Sequence, residues 1–560
     1  MSESERRMIE ILRILSHHDN PIGSKVIADE LKDKGFNLGE RAVRYHMQIL
    51  DQKGFTEKKG YSGRVITELG SEKLEKGLIY DQVDFIFSKF EEMIYLTDFN
   101  YITQKGNVVV NTSTIYNEES VDLLKEIIGS GLSVSPYVNL NKDEIEGTID
   151  ATTLCGTTID GILLNEGIPS QLQYGGLLKI EDYKPVRFEE LISYKKTSLT
   201  PLDVFSSPKR TSVLDVVNSG DGVIPANFRL IPGIGREKAV DILKKLDKIG
   251  IGGVIAISEE GKDIVGMRVP TGMVGITIVG GITPFCALQE DGEEIDIKIA
   301  EEIQNFETLS PITTTIKPHL KSVESDIQPK IPFLLSSSWN LIQQVNFDLE
   351  KRKGNIVSNV SYLKKDNLDS ALSIMEETYN DNPKYINPYY KLLPHPTDDD
   401  KIGIGTICSL SIDGLLINNG IMCNPKYGGL LELTEPPLFI ELISYNGSTV
   451  DPHKIFLSKN LTSITKNNGP QKILASFKEI PYITRDYAVE LLDTLNKIGF
   501  SIFKIGKTRE VIYNAKAENY NFGIVAGSGL NSIGAVKEKG IDIEIKAIEK
   551  LIPFEEMNRL

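Results

Sequence analysis

Apolar residues recur at helical spacing through the first fifty positions. Ile9, Leu12 and Ile14-Leu15 make one stripe, Val26-Ile27 and Leu31 a second, and Val43, Met47 and Leu50 a third. The pattern predicts three short helices. Turn-forming residues from His17 to Pro21 separate the first two, Ser24 is placed to cap the second and Gly35 to stop it, and Asn37-Leu38-Gly39 turns into the third. After Gly54 the period changes, and Phe55 to Ile66 reads as a hairpin whose glycine-rich tip is positively charged, with a further helix from Thr67 to Leu74. Opposite the apolar stripe of the third helix, Arg41, Arg44, Tyr45, Gln48 and Gln52 fall at i, i+3, i+4, i+7 and i+11, so guanidinium, phenol and amide groups project from one side. Such groups suit base edges and phosphates. The plain alternative is a small helical bundle with a solvated polar face.

The rest of the chain is written twice. Cys155 to Leu178 lies over Cys408 to Leu431 without gaps, with thirteen of twenty-four positions identical. The register continues through Gly106-Asn-Val-Val and Gly354-Asn-Ile-Val, Glu190-Leu-Ile-Ser-Tyr194 and Glu441-Leu-Ile-Ser-Tyr445, Pro232 and Arg236 against Pro481 and Arg485, and Gly275-Ile against Gly523-Ile. A repeat of about 250 residues is too long for a solenoid unit and means two duplicated domains, expected to form a pseudo-twofold pair. Three apolar segments are expected as strands: Ile159 to Leu164, Gly175 to Ile180 and Gly253 to Ile257. Each copy also carries an amphipathic helix, Arg236 to Ile249 in the first and its counterpart ending at Gly499 in the second. The Ser, Thr, Pro and Lys-rich segment from Thr308 to Pro332 reads as a linker. The expected fold is therefore multidomain α/β: a head over 1–78, then mixed α/β domains over 80–310 and 330–560.

Charge sharpens the reading of the head. The 560 residues hold 62 Lys plus Arg against 78 Asp plus Glu, a formal charge of −16 that repels nucleic acid unless charge is segregated. Glu40 to Arg64 has six basic and three acidic residues, a local +3. A composition of 40% hydrophobic and 25% charged residues excludes collagen-like and wholly disordered classes. Four cysteines, none in a C-x-x-C pair, are too sparse for a secreted disulfide scaffold, so reduced thiols and a cytoplasmic location are expected. The start has no apolar signal core. The longest charge-free run, Val269 to Gln289, is broken by four Gly and two Pro and reads as buried strands and turns rather than a membrane span.

A winged helix-turn-helix pattern followed by two copies carrying Ile-Asp-Gly-Ile/Leu-Leu, Tyr-Gly-Gly-Leu-Leu and Glu-Leu-Ile-Ser-Tyr resembles the archaeal NrpR nitrogen-regulatory repressors over essentially the whole chain. The resemblance implies a transcriptional repressor of nitrogen-fixation and nitrogen-assimilation genes. It implies binding to palindromic double-stranded operator DNA as a homodimer able to pair into a tetramer, and release by the effector 2-oxoglutarate. Neither an enzyme, a cofactor nor a metal is expected. A regulator answering thiol redox or another metabolite, and an enzyme with a DNA-binding arm, are the alternatives.

Candidate residues follow. For DNA they are Arg41, Arg44, Tyr45 and Gln48 on the third helix, with Lys58, Lys59 and Arg64 on the wing. A dicarboxylate effector needs cations and exposed amides present in both copies. Arg236 and Arg485 each open a helix, where guanidinium and backbone N–H groups could share an anion, or each is an ordinary first-turn arginine. Tyr174-Gly175-Gly176 and Tyr427-Gly428-Gly429 are either sites of close backbone approach to a ligand or tight turns. Cys155 and Cys408 are either ligand or redox groups or small buried thiols, and Asp160 and Asp413 read as turn residues. Two apparent motifs are set aside: Pro232-Gly-Ile-Gly235 because the second copy lacks its glycines, and Ile505-Gly-Lys-Thr508 because Ser501 replaces the first glycine of a phosphate loop.

Overall fold

A computed structural model describes residues 3–16, 18, 20–33, 38–60, 62–71, 79–143, 147–206, 210–313, 320, 323, 331–465, 469–508, 510–518 and 520–560. Two compact units result, one of Val83–Ser336 with Asn446–Val450, the other of Met1–Gln82, Ser337–Tyr445 and Asp451–Leu560.

In the head, α1 (Glu3–Ser16), α2 (Ser24–Asp33) and α3 (Glu40–Gln52) precede β1 (Thr56–Lys58) and β2 (Arg64–Ile66), which pair antiparallel with Thr56 opposite Ile66. The predicted stripes meet in one core of Leu12, Ile14, Leu15, Ile27, Leu31, Val43, Met47 and Leu50. Val26, expected inward, is exposed instead, because successive helical residues point about 100° apart and Ile27 takes the core side. Ile22 adds a third, single-bridge strand against Arg64. The helix after the wing begins at Glu68, with Gly70 N donating to the Thr67 hydroxyl at 3.1 Å. Its continuation over 72–74, like His17, Gly35 and Asn37 at the expected turns, lies outside the described residues.

The first copy is built on two five-stranded antiparallel sheets from β3 (Asn107–Ile115), β4 (Tyr137–Lys142), β5 (Ile149–Leu154), β6 (Gln171–Glu181), β7 (Lys184–Ser193), β8 (Gly222–Pro232), β9 (Val254–Ile257), β10 (Met273–Val279), β11 (Ile297–Asn305) and β12 (Ser310–Pro311). Their orders are β11-β3-β5-β4-β12 and β7-β6-β8-β10-β9. The second copy repeats both with β13 (Asn355–Lys364), β14 (Tyr389–Pro394), β15 (Lys401–Ile407), β16 (Asn424–Glu432), β17 (Leu438–Ser444), β18 (Lys472–Pro481), β19 (Ile502–Thr508), the short pair β20 (Val511–Ile512) and β21 (Ala515–Lys516), then β22 (Asn521–Gly527), β23 (Glu544–Pro553) and β24 (Asn558–Arg559). Its orders are β23-β13-β15-β14-β24 and β17-β16-β18-β22-β19, strand for strand those of the first copy.

Several shared motifs gain a physical meaning here. Gly106 and Gly354 have φ of 115° and 116°, and a Cβ would lie 2.7 and 2.5 Å from the carbonyl oxygens of Asp98 and Asn346, so only glycine makes the turn into β3 and β13. A buried asparagine holds each sheet's bulge: Asn111 Oδ1 accepts from Ala300 N at 3.1 Å and Asn359 Oδ1 from Ile548 N at 3.0 Å.

Two expectations are corrected. Ile159 to Leu164, read as a strand, lies within a helix, Thr157–Asn165, matched by Leu410–Asn418 in the second copy. All of the run but Leu164 is buried, so its apolar positions carry no period that separates helix from strand. For the same reason Val269 to Gln289 contains a helix, Thr283–Glu290, after β10. The amphipathic helices stand as expected, at Arg236–Lys248 and Arg485–Ile498. In the segment expected as a linker, Ser310–Pro311 forms β12, Val323 bridges to Ala256 and Ile331 is buried, while 314–319, 321–322 and 324–330 lie outside the described residues.

Candidate nucleic-acid interface and regulatory sites

With Val43, Met47 and Leu50 turned inward, α3 leaves Arg41, Arg44, Tyr45 and Gln48 exposed together on its other face. Tyr45 is 61% exposed. Arg44 Nη2 reaches Glu40 Oε1 at 2.6 Å, and Glu40 also accepts from the Ser24 hydroxyl at 3.1 Å. The Ser24 hydrogen bond first, then Arg44, holds the Glu40 carboxyl below its ordinary range. Lys58 and Lys59 stand exposed on the wing, Lys59 next to Glu57 at 2.7 Å. Arg64 is different. Its Nε donates to both Asp51 oxygens at 2.8 Å, Nη2 lies 2.7 Å from Asp51 Oδ2, and Thr56 donates to the same carboxylate at 2.6 Å. That guanidinium clamps the wing to α3.

The effector candidates fall in three settings. Arg236 and Arg485 each begin their helix and are half-buried, and each spends Nε on a carbonyl of the neighbouring strand region, Ser258 O at 2.9 Å and Gly506 O at 3.1 Å. The Arg485 guanidinium also sits 5.7 Å from the centre of the Phe522 ring. The Tyr-Gly-Gly triplets are not turns: Tyr174, Gly175 and Gly176 lie inside β6, and Tyr427, Gly428 and Gly429 inside β16. A Cβ on Gly175 or Gly428 would stand 2.8 or 2.6 Å from the Cβ of Pro201 or Pro452, the first residues of short helices laid across the sheet. These glycines admit a helix. Cys155 and Cys408 are buried free thiols, and burial raises both, Cys408 to about 12, so neither is a thiolate at neutral pH.

The structure adds a cluster that the sequence reading treated as turns. Asp160 stands in the first turn of the helix Thr157–Asn165 with 0% exposure, and its Oδ2 receives Arg229 Nη1 from β8 at 2.6 Å. Ser170 donates to the other carboxylate oxygen, and Arg229 Nη1 also reaches Gly156 O at 3.2 Å. Arg229 Nε is buried with no partner among the described residues. Burial pushes the Asp160 carboxyl upward while the Arg229 charge pulls it back. Beside it, Tyr194 donates to Asn227 Oδ1 at 2.6 Å. The second copy repeats the plan with other side chains. Asp413 pairs with Lys478, both fully buried, Cys423 Sγ lies 3.3 Å from Asp413 Oδ1, and Tyr445, Ser476 and Ser409 form a hydroxyl chain.

The signal was present: Asn227 and Arg229 are polar at i and i+2 within an otherwise apolar strand, and Ser476 and Lys478 repeat that spacing at the matching positions. Chemically, each pair ties a helix start to a central strand, and its cation is already neutralised by its own aspartate. Among the described residues, no group of three or more His, Cys, Asp or Glu is placed to hold a metal, and no helix is long and apolar enough to cross a membrane.

Comparison with known proteins matches the model of NrpR regulatory domains NRD1 and 2 to residues 83–311 and 331–559, and that of the ribonuclease R winged-helix domain to residues 9–74. The chain is 35% identical over 555 residues to the global nitrogen regulator NrpR of Methanococcus maripaludis, covering 98% of each chain. To the protein of the same name from Methanocaldococcus jannaschii it is 33% identical over 560 residues, covering 100% of this chain and 98% of that one. Among solved structures, a nitrogen repressor-like protein from Methanococcus jannaschii is 30% identical over 41% of this chain and 99% of its own, with a TM-score of 0.37.

Proposed function

Because the chain belongs to the NrpR family of nitrogen regulators, and so regulates the transcription of nitrogen genes through a DNA-binding winged helix, we propose that it represses nitrogen-fixation and nitrogen-assimilation genes by occupying palindromic operators. One observation carries this reading: the exposed row of Arg41, Arg44, Tyr45 and Gln48 on a helix whose opposite side is wholly committed to the core. Such a helix enters a major groove with its polar row toward base edges, while Lys58 and Lys59 on the wing neutralise backbone phosphate. A twofold dimer would place two of these helices about 34 Å apart.

Release by 2-oxoglutarate belongs to the same proposal. The ligand's two carboxylates call for cations that can be reached, and Arg229 and Lys478 are sealed against their own aspartates. Arg236 and Arg485, half-buried at matched helix starts, remain the better pair. An effector acts only through unequal affinity for the DNA-bound and released arrangements.

A gel shift on operator DNA with and without 2-oxoglutarate tests both parts. Arg41→Ala or Arg44→Ala should weaken specific binding by about 1–3 kcal/mol if the residue contacts a base, whereas Lys58→Ala or Lys59→Ala should mainly flatten the salt dependence. Arg236→Ala with Arg485→Ala should keep operator affinity and lose the 2-oxoglutarate response. Equal operator affinity in all four head variants would overturn the assignment of α3 as the reader.

A further inference from the structure

Duplication supplies an internal control, because the same corner can be compared in both copies. In each, a central strand ends at a proline, passes through one 3-10 turn and enters a helix: Pro232, Gly233–Gly235 and Arg236 in the first, Pro481, Tyr482–Thr484 and Arg485 in the second. The isoleucine at the apex is bare in both, Ile234 at 98% and Ile483 at 93% exposure. Around the apex the copies part. Where the first has Pro169, Gly233, Lys238 and Gly272, the second has Met422, Tyr482, Tyr487 and Tyr520. These four are 70, 49, 49 and 80% exposed.

The second-copy residues adjoin one another. Tyr482 N donates to Tyr520 O at 2.9 Å, Tyr487 follows Ile483 by about one helical turn, and its hydroxyl donates at 3.2 Å to Asn419 Oδ1, three residues before Met422. The fold does not require them, since the first copy makes the same corner with glycine, proline and lysine. Single exposed apolar residues are ordinary, but five gathered at one corner are not.

We propose that this aromatic corner is the surface on which a second copy of the same chain docks, in a twofold contact that apposes the two corners. Area supports a self-contact of ordinary size. At these exposures the five side chains offer roughly 600 Å², against about 800 Å² per partner in a standard stable interface, so a modest rim completes it. Charge supports it as well. Two bodies of formal charge −16 repel each other, and the five residues include no Asp, Glu, Lys or Arg, so a contact centred on them brings the chains together without burying like charges. Tyrosine suits the centre of such a contact, covering apolar area while its hydroxyl keeps a polar partner. The inference rests on the repressor reading in one respect, that two reader helices on a palindrome require twofold symmetry.

Sedimentation equilibrium of the full-length protein without DNA provides the test, on wild type, Ile483→Asp, the double variant Tyr487→Ser with Tyr520→Ser, and Ile234→Asp as the first-copy counterpart. The wild type should be a dimer. Ile483→Asp and the double serine variant should each raise the dimer dissociation constant by roughly 30-fold or more, with unchanged circular dichroism, and Ile234→Asp should dimerise as wild type does. If Ile483→Asp alone disturbs folding, the double serine variant decides. A monomeric wild type, undiminished dimerisation in both second-copy variants, or an equal loss in Ile234→Asp overturns the proposal. A wild-type dimer, broken by the second-copy variants, that ignores operator DNA would refute the repressor reading and leave this interface standing.

Discussion

Replacing Asp160 with alanine removes one half of the ion pair at the centre of the first copy. Its partner Arg229 is 1% exposed and held at 2.6 Å, so the guanidinium would keep only the Gly156 carbonyl, with Nε already unpartnered. An uncompensated buried charge of this kind costs about 3–5 kcal/mol. For a domain of this size each kcal/mol lowers the melting temperature by about 2–4 °C, so the expected fall is roughly 6–20 °C. Calorimetry of the full chain measures it, with two companions. Asp160→Leu combined with Arg229→Met should recover most of the loss, because apolar residues of similar size need no compensation. Asp241→Ala, which breaks the exposed pair with Lys245, should leave melting where it is. A fall of less than about 2 °C for Asp160→Ala would show that the pair does not hold the helix Thr157–Asn165 to β8, and that the electrostatic reasoning is wrong.

Arg64→Ala should destabilise the head by about 1.5–3 kcal/mol, as expected for losing charge-assisted hydrogen bonds, because its guanidinium serves Asp51; a melting curve equal to that of Lys58→Ala would contradict this. Burial lowers His453 below its ordinary value of 6.5, so the unfolded chain binds a proton that the folded one refuses. Stability linked to it is full above pH 6.5 and is lost as the pH falls toward the folded value. His453→Leu, the residue type found at the matching Leu202, should flatten the decline in melting temperature on the acid side. Gly175→Ala and Gly428→Ala should each cost about 1–3 kcal/mol through overpacking, read by denaturant titration, because the added carbon meets Pro201 or Pro452.

The head was legible because it is amphipathic. Leu12, Val43 and Met47 face a core while Arg41 and Tyr45 face water, and that contrast writes a period into the sequence. The helices from Arg236 and Arg485 were legible for the same reason. Where an element is covered almost all round the contrast vanishes, so Ile159 to Leu164, buried as far as Leu163, gave length and hydrophobicity but no period. Asp160 was then misplaced with it. Its partner lies 69 residues away in a different strand, a distance that no local pattern spans.

Sequence alone determined that the chain is a basic head joined to a domain written twice, since local charge, period and repetition need no third dimension. Only the tertiary structure decided which polar residues are spent internally. Arg64 closes on Asp51, Arg229 on Asp160 and Lys478 on Asp413, while Arg41, Tyr45 and Tyr520 are left facing outward. The reason is physical: a side chain's chemistry is set by its residue type, but whether water or a counter-charge meets it depends on what the fold packs against it.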